Sequence, residues 1–150
     1  MAVAVRRAEP ADAAILTRVA HAAKRHWRYP EELILLWKGA LSVSEDYVEA
    51  NPVFCAVQGA EIVGFYSLVG DGDTRELDHF WVVPQHIGTG VGTRLFDHVL
   101  RTMRESGGRS LHIAADPHAE GFYVKMGARR VGDCPSIPEG RRLPLLQYDL

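Results

Sequence analysis

The stretch Val82-Val83-Pro84-Gln85-His86-Ile87-Gly88-Thr89-Gly90-Val91-Gly92-Thr93 constrains this chain more than any other. A strand-like run, Arg75 to Val83, leads into three glycines at alternate positions. These lead straight into a segment with Val91, Leu95, Val99 and Met103 on one helical face, stopping at Gly107-Gly108. A strand, a glycine loop and a helix in that order make an anion cradle. Missing side chains let a phosphate approach the main chain, successive N–H groups converge on it, and the helix N-terminus adds positive potential. No Gly-Lys-Ser/Thr follows, so this is not a nucleoside-triphosphate loop, and the spacing GxGxG is not the dinucleotide spacing GxGxxG. A tight turn with a purely structural purpose is the competing reading of the same glycines.

The rest of the chain supplies a mixed α/β frame. Val3 to Arg7 reads as a strand, and Glu9-Pro10-Ala11-Asp12 opens a helix carrying Ile15, Leu16, Val19, Ala23 and Trp27 at helical spacing. Pro30-Glu31-Glu32 starts a second helix that stops near Gly39, and Ser42 with Glu45 matches a capping box for a third, through about Ala50. The period then changes to two. Val53 to Gln58 and Ile62 to Val69 read as a hairpin, followed by the Arg75 to Val83 strand. Beyond the glycine helix come a strand at Ser110 to Ala114 and a short helix from Asp116-Pro117 to Met126. Strands at Ala128 to Asp133 and Leu145 to Leu150 finish the chain. The expected order is β-α-α-α-β-β-β-α-β-α-β-β, one domain over residues 1–150.

Charge and composition exclude several classes. Seventeen Lys+Arg against nineteen Asp+Glu give a net charge of −2, so no global basic field exists to hold a nucleic acid. No apolar run approaches the roughly eighteen residues of a membrane span. The apolar stretch before Arg6-Arg7 is too short for a secretory leader, and a cytoplasmic location is expected. Cys55 and Cys134 lie far apart without a CxxC, and the histidines show no HExxH or HxxxH pair, so neither a disulfide scaffold nor a metal is expected.

Two segments carry a family resemblance. Gln85-x-x-Gly88-x-Gly90 matches the Q/R-x-x-G-x-G/A motif of the GNAT superfamily of N-acetyltransferases, and Leu77-Asp78-His79-Phe80-Trp81-Val82-Val83-Pro84 before it is similar to that family's fourth strand. About thirty residues on, Ala119-Glu120-Gly121-Phe122-Tyr123-Val124-Lys125-Met126-Gly127-Ala128 resembles the family's A-x-x-F-Y-x-K-x-G helix. The element order follows the family order over nearly the whole chain. The resemblance implies a single GNAT-like α/β domain. Its mixed sheet would be antiparallel in its first half, with splayed fourth and fifth strands and helices on both faces.

It also implies acetyl-CoA as cosubstrate. The pyrophosphate would lie on the backbone of Ile87, Gly88, Thr89, Gly90, Val91 and Gly92 behind the motif residue Gln85, with the Thr93 hydroxyl close by. Main-chain groups of Val82 and Val83 would pair with the pantetheine arm as a further strand. Asp116 stands where many relatives carry an Asn that touches this arm; an Asp caps a helix equally well but offers no amide N–H. Tyr123 matches the family's tyrosine beside the thioester sulfur, a general acid for the departing thiolate; packing of the Phe122-Tyr123 pair is its bland alternative.

An amine acceptor must lose a proton before it attacks. Strand alternation puts Glu76, Asp78 and Phe80 on one face and Leu77, His79 and Trp81 on the other. Relatives often draw a Glu from the start of this strand, which makes Glu76 the nearest match for the base, with Asp78 and His79 as competitors. The family's acceptor region corresponds here to Trp27, Tyr29, Trp37 and Tyr47, with Arg141-Arg142 in the last loop. These residues read either as core or as an aromatic wall with an Arg for a carboxylate or phosphate. The expected function is transfer of an acetyl group to the primary amine of a small molecule or peptide by direct attack, with no nucleic-acid or membrane partner and a homodimer left open. A non-catalytic acyl-CoA-binding module of the same fold is the alternative.

Overall fold

A computed structural model describes residues 2–150. Met1, which begins the segment read above as too short for a leader, lies outside the described residues. Strands β1 (Val3–Arg7), β2 (Val53–Gln58), β3 (Glu61–Val69), β4 (Thr74–Val82), β5 (Ser110–Ala114), β6 (Arg129–Pro135) and β7 (Arg142–Asp149) form one sheet in the order β1-β2-β3-β4-β5-β7-β6. The first pairings are antiparallel, Val5 opposite Ala56 and Cys55 opposite Phe65. β4 and β5 run parallel over only three pairs, Thr74–Ser110, Arg75–Leu111 and Glu76–His112. From Leu77 onward the described residues of β4 have no register partner on β5, which is the splay expected from the sequence. The helices are α1 (Ala13–His26), α2 (Glu31–Leu36), α3 (Lys38–Leu41), α4 (Glu45–Ala50), α5 (Val91–Glu105) and α6 (Glu120–Lys125).

The fold divides into two compact units, residues up to Ser67 with His79–His98, and Leu68–Asp78 with Val99–Leu150. In the first, Leu16, Val19 and Ala20 of α1 pack with Ile34, Trp37, Leu41 and Val48 onto Val53, Cys55, Ile62 and Phe65, and Trp81 and Val83 lean on this core. Each such aliphatic side chain contributes about 1.5–3 kcal/mol by leaving water. The next residue along β4 from Trp81 in the other direction, Phe80, packs edge-on against Phe96 of α5, with ring centroids 6.2 Å apart. Successive strand side chains point to opposite faces. Hence α1 and α2 cover one face of β4 and α5 the other. In the second unit, the Asp73 carbonyl accepts from the N–H groups of Arg109 (2.7 Å) and Ser110 (2.9 Å), and the Arg75 guanidinium reaches the Ser106 hydroxyl at 2.9 Å.

Several local expectations need correction. The first helical turn, Pro10–Asp12, is a 3-10 turn, and the α-helix proper begins at Ala13. The Pro30–Gly39 helix is two short helices that break at Trp37, whose buried ring anchors the chain there. Ser42 does not cap the next helix. Its hydroxyl donates back to the Lys38 carbonyl (2.6 Å), while Ser44 accepts from the Tyr47 N–H (3.0 Å) as the N-cap of α4.

One glycine is set by contact. A Cβ on Gly64 would stand 2.8 Å from the Trp81 carbonyl oxygen and 3.0 Å from Leu95 Cδ1. Gly64 therefore lets β3 approach β4 and α5 closely. Gly64→Ala should lower stability by about 1–3 kcal/mol, the usual range for overpacking. That is roughly 2–12 °C in melting temperature for a chain of this size. Gly39→Ala, where a Cβ meets nothing within 4 Å, should leave the melting curve nearly unchanged or raise it. Equal melting temperatures for the Gly64 variant and the parent would refute the close-approach account.

Candidate active site

The glycine loop is built as a turn that only these residues relax into. β4 is held to β3 up to Val83, whose N–H donates to the Val63 carbonyl at 3.0 Å. A 3-10 turn, Pro84–His86, follows, and the His86 N–H closes it onto the Val83 carbonyl at 2.9 Å. Gly88 (φ 80°) and Gly90 (φ 93°) both adopt the left-handed region that side chains avoid. A Cβ at either position would meet nothing within 4 Å, so the space beside the turn is open. Thr89 braces the turn by donating its hydroxyl to the His86 carbonyl at 2.5 Å. The Gly90 carbonyl then accepts the first helical bond of α5, from the Arg94 N–H at 3.0 Å. That leaves the N–H groups of Val91, Gly92 and Thr93 as the orphan donors of a fifteen-residue helix. Gln85, Ile87, Gly88, Thr89, Gly90 and Thr93 are exposed, while Val91 is buried as the helix's first anchor. This arrangement can receive an anion on main-chain donors aided by the helix dipole.

Residues of an extended strand alternate the direction of their N–H and C=O groups. Because Val83 points its N–H at β3, Val82 points its own away from β3. Both hydrogen-bonding groups of Val83 are in use within the chain, so Val82 is the better placed of the two for pairing with an added strand.

On β4 the alternation is as expected. Glu76 and Asp78 are exposed, whereas Leu77 and His79 are buried. The His79 Nδ1 lies 2.9 Å from the indole Nε1 of Trp81, and the His79 N–H donates to the Ser67 hydroxyl at 3.1 Å. Sequence alternation put these two side chains on one face, but a bond between them leaves no signal in spacing.

In the second unit, Tyr123 lies on α6 and is 5% exposed, with its ring edge-on to Phe122 at 5.4 Å. Burial, helped by the charge of Asp116, pushes its phenol far above the ordinary tyrosine range. The hydroxyl keeps its proton throughout the neutral range, as an ordinary tyrosine would, and burial makes it a weaker acid. Asp116 precedes α6 in a turn and does not itself cap the helix; Ala119 occupies that position. Its Oδ1 accepts from the His118 N–H and lies beside the His118 Nδ1, both at 2.9 Å, while Oδ2 faces Arg141 at 3.9 Å. Arg141 also donates to the Ser136 hydroxyl at 3.2 Å, and Arg142 pairs with Asp133. The last-loop arginines are thus engaged by neighbouring side chains. In the first unit, Trp37 is core, with Tyr29 edge-on to it at 4.9 Å. Tyr47 is half-buried, and its hydroxyl lies 2.8 Å from that of Ser67.

Residues 38–137, two thirds of the chain, match the model of the Acetyltransferase (GNAT) domain. The protein belongs to this family and is by that membership an acyltransferase. Solved structures share the fold over the whole length. The PaiA N-acetyltransferase of Thermoplasma acidophilum, in complex with coenzyme A, superposes with a TM-score of 0.82 at 17% identity, covering 100% of both chains. A GCN5-related N-acetyltransferase of Rhodopseudomonas palustris gives 0.83 at 24%, covering 100% of this chain and 97% of its own. The ribosomal-protein alanine N-acetyltransferase of Escherichia coli gives 0.73 at 15%, covering 99% and 94%. No curated protein matches the sequence. Among the described residues no helix is long and apolar enough to cross a membrane.

The raised phenol has a direct optical consequence. At about pH 11, above the ordinary tyrosine value near 10, Tyr123 should still be protonated while exposed tyrosines ionise. The Tyr123→Phe variant should therefore give the same phenolate absorbance as the parent at that pH, and differ only once the chain unfolds. A loss of one tyrosine's worth of phenolate signal in the folded variant would show that burial does not protect this hydroxyl.

Proposed function

We propose that residues 1–150 form one N-acetyltransferase domain, working in the cytoplasm, that moves an acetyl group from acetyl-CoA to the primary amine of a small molecule or peptide. The observation that carries this reading is the exposed left-handed glycine turn set on the N-terminus of α5, in a chain whose family is that of acetyltransferases. Acetyl-CoA supplies the activated acetyl thioester; all else falls to the chain.

In this reading the main chain from Ile87 to Gly92, with the Thr93 hydroxyl, takes the pyrophosphate, and Gln85 flanks it. The N–H and C=O of Val82 align the pantetheine arm in the manner of an added strand. Asp116, an acceptor already engaged by His118 and Arg141, shapes the turn that leads to Tyr123 more than it touches the arm.

Direct attack needs an amine without its extra proton and a thiol that can leave. For the first, exposed Glu76 is the preferred base, with Asp78 second, acting directly or through a water. For the second, a free thiol has a pKa of about 8.5, and expelling it bare as thiolate in a partly dry cleft is costly. Desolvation raises the pKa of the departing thiol along with that of Tyr123, so the protonated phenol meets that need as general acid. The near-neutral charge of the chain favours a small or peptidic amine over a nucleic acid.

The test is thiol release from acetyl-CoA against a broad panel of primary amines, with the parent and Tyr123→Phe in parallel. The parent should turn over at least one amine, and the variant should lose about 10²- to 10⁴-fold in kcat. Cofactor affinity and melting temperature should stay nearly unchanged, since the ring remains. A variant keeping more than about a third of the parental kcat, where chemistry limits turnover, would remove Tyr123 from the mechanism. No release with any amine, despite tight acetyl-CoA binding, would favour a binding module.

A further inference from the structure

Beneath β4, within the first unit, one imidazole is more constrained than packing requires. His79 is 5% exposed, with its ring 5.6 Å from Phe65 of β3 and edge-on to Tyr47 of α4 at 5.7 Å. Its Nδ1 lies 2.9 Å from the Trp81 indole nitrogen. An indole nitrogen can only donate, so Nδ1 must present its lone pair. A neutral imidazole has a single N–H, which places the proton on Nε2. Protonating Nδ1 would turn two N–H groups against each other and strand a half-buried indole donor.

The indole has a second neighbour of the same effect. Lys24 of α1 is 7% exposed, with its ammonium 4.7 Å from the Trp37 ring centroid, 4.9 Å from Tyr29 and 5.9 Å from Trp81. A cation on the indole face withdraws density from the ring and makes its N–H a better donor. The same positive charge disfavours a second cation at His79. Trp81 on its own strand, Phe65 and Ser67 from β3 and Tyr47 from α4 lie against His79, with Lys24 beyond the indole. α1, which carries Lys24, also packs against the Pro84–His86 turn at the head of the glycine loop.

We infer that Trp81 and Lys24 lock His79 as a neutral imidazole with its proton on Nε2, so that His79 is not the base that deprotonates the acceptor. Its exclusion as the base rests on the N-acetyltransferase reading; the locked tautomer does not.

Long-range proton–nitrogen NMR of the native protein reads the tautomer without reference to activity. The expected result is a proton on Nε2, none on Nδ1, and no titration of His79 between about pH 5 and 8, a window that spans the ordinary histidine value near 6.5. Trp81→Phe should release Nδ1 from its donor and let the second tautomer, with the proton on Nδ1, appear in the same spectra. His79→Gln, which can donate but cannot take up a proton, should keep kcat/KM within about threefold, whereas loss of a base costs about 10²- to 10⁴-fold. A proton on Nδ1, a native titration inside the window, or a hundredfold loss in a normally folded His79→Gln would overturn the inference. If no amine is acetylated but the NMR result holds, the lock stands and only its catalytic setting falls.

Discussion

Between Val83, the last residue tied to β3, and Val91, the first of α5, the backbone must pass from extended to helical, and the N–H groups of His86, Ile87 and Thr89 close turns onto the Val83, Pro84 and His86 carbonyls on the way. That transition governs the first unit. A 3-10 turn closed by His86 spends the carbonyl of Val83, and left-handed residues at Gly88 and Gly90 swing the chain without placing a Cβ over the helix end. Thr89 then fixes the loop through a side-chain bond to the His86 carbonyl. The result is a first turn of α5 whose main-chain donors need no rearrangement to meet an anion, which limits the entropy lost on binding.

The second unit uses the opposite device. Its key group is buried, and burial sets its chemistry. Removing the Tyr123 hydroxyl from water penalises the phenolate, so at neutral pH the group is a protonated hydrogen-bond donor and never a base. The carboxylate of Asp116 pushes in the same direction, while its own charge is met by Arg141 and by the His118 N–H. The same physics acts without catalytic consequence at Cys55, where burial pushes the thiol up to about 11 and leaves it a core side chain.

Much of this was legible in the sequence because it depends on residue type at fixed spacing. Alternate glycines between a strand and a helix mark an anion-accepting turn, and strand alternation puts the exposed Glu76 and Asp78 on one face of β4 and the buried Leu77 and His79 on the other. What stayed hidden depends on contacts between distant segments. Gly64 reads as an ordinary strand glycine, yet the Trp81 carbonyl and Leu95 leave no room for a Cβ. Ser42 and Ser44 both offer a capping hydroxyl, and the break at Trp37 decides that the first closes α3 while the second opens α4. Arg28, in the left-handed region (φ 60°) where glycine is the easy choice, gives no sign in the sequence of the turn it makes at the end of α1. The last-loop arginines likewise read as free anion ligands until Asp116 and Asp133 are found beside them.

The central claim is that main-chain donors of the glycine turn and of the first turn of α5 hold acetyl-CoA. Titration of the nitrogen-labelled protein with acetyl-CoA, followed by amide NMR, addresses those donors one by one. The account predicts that the amides of Ile87 to Thr93 shift most, in proportion to one another and saturating together, with Val82 following. Saturable binding that leaves these amides unmoved would contradict it.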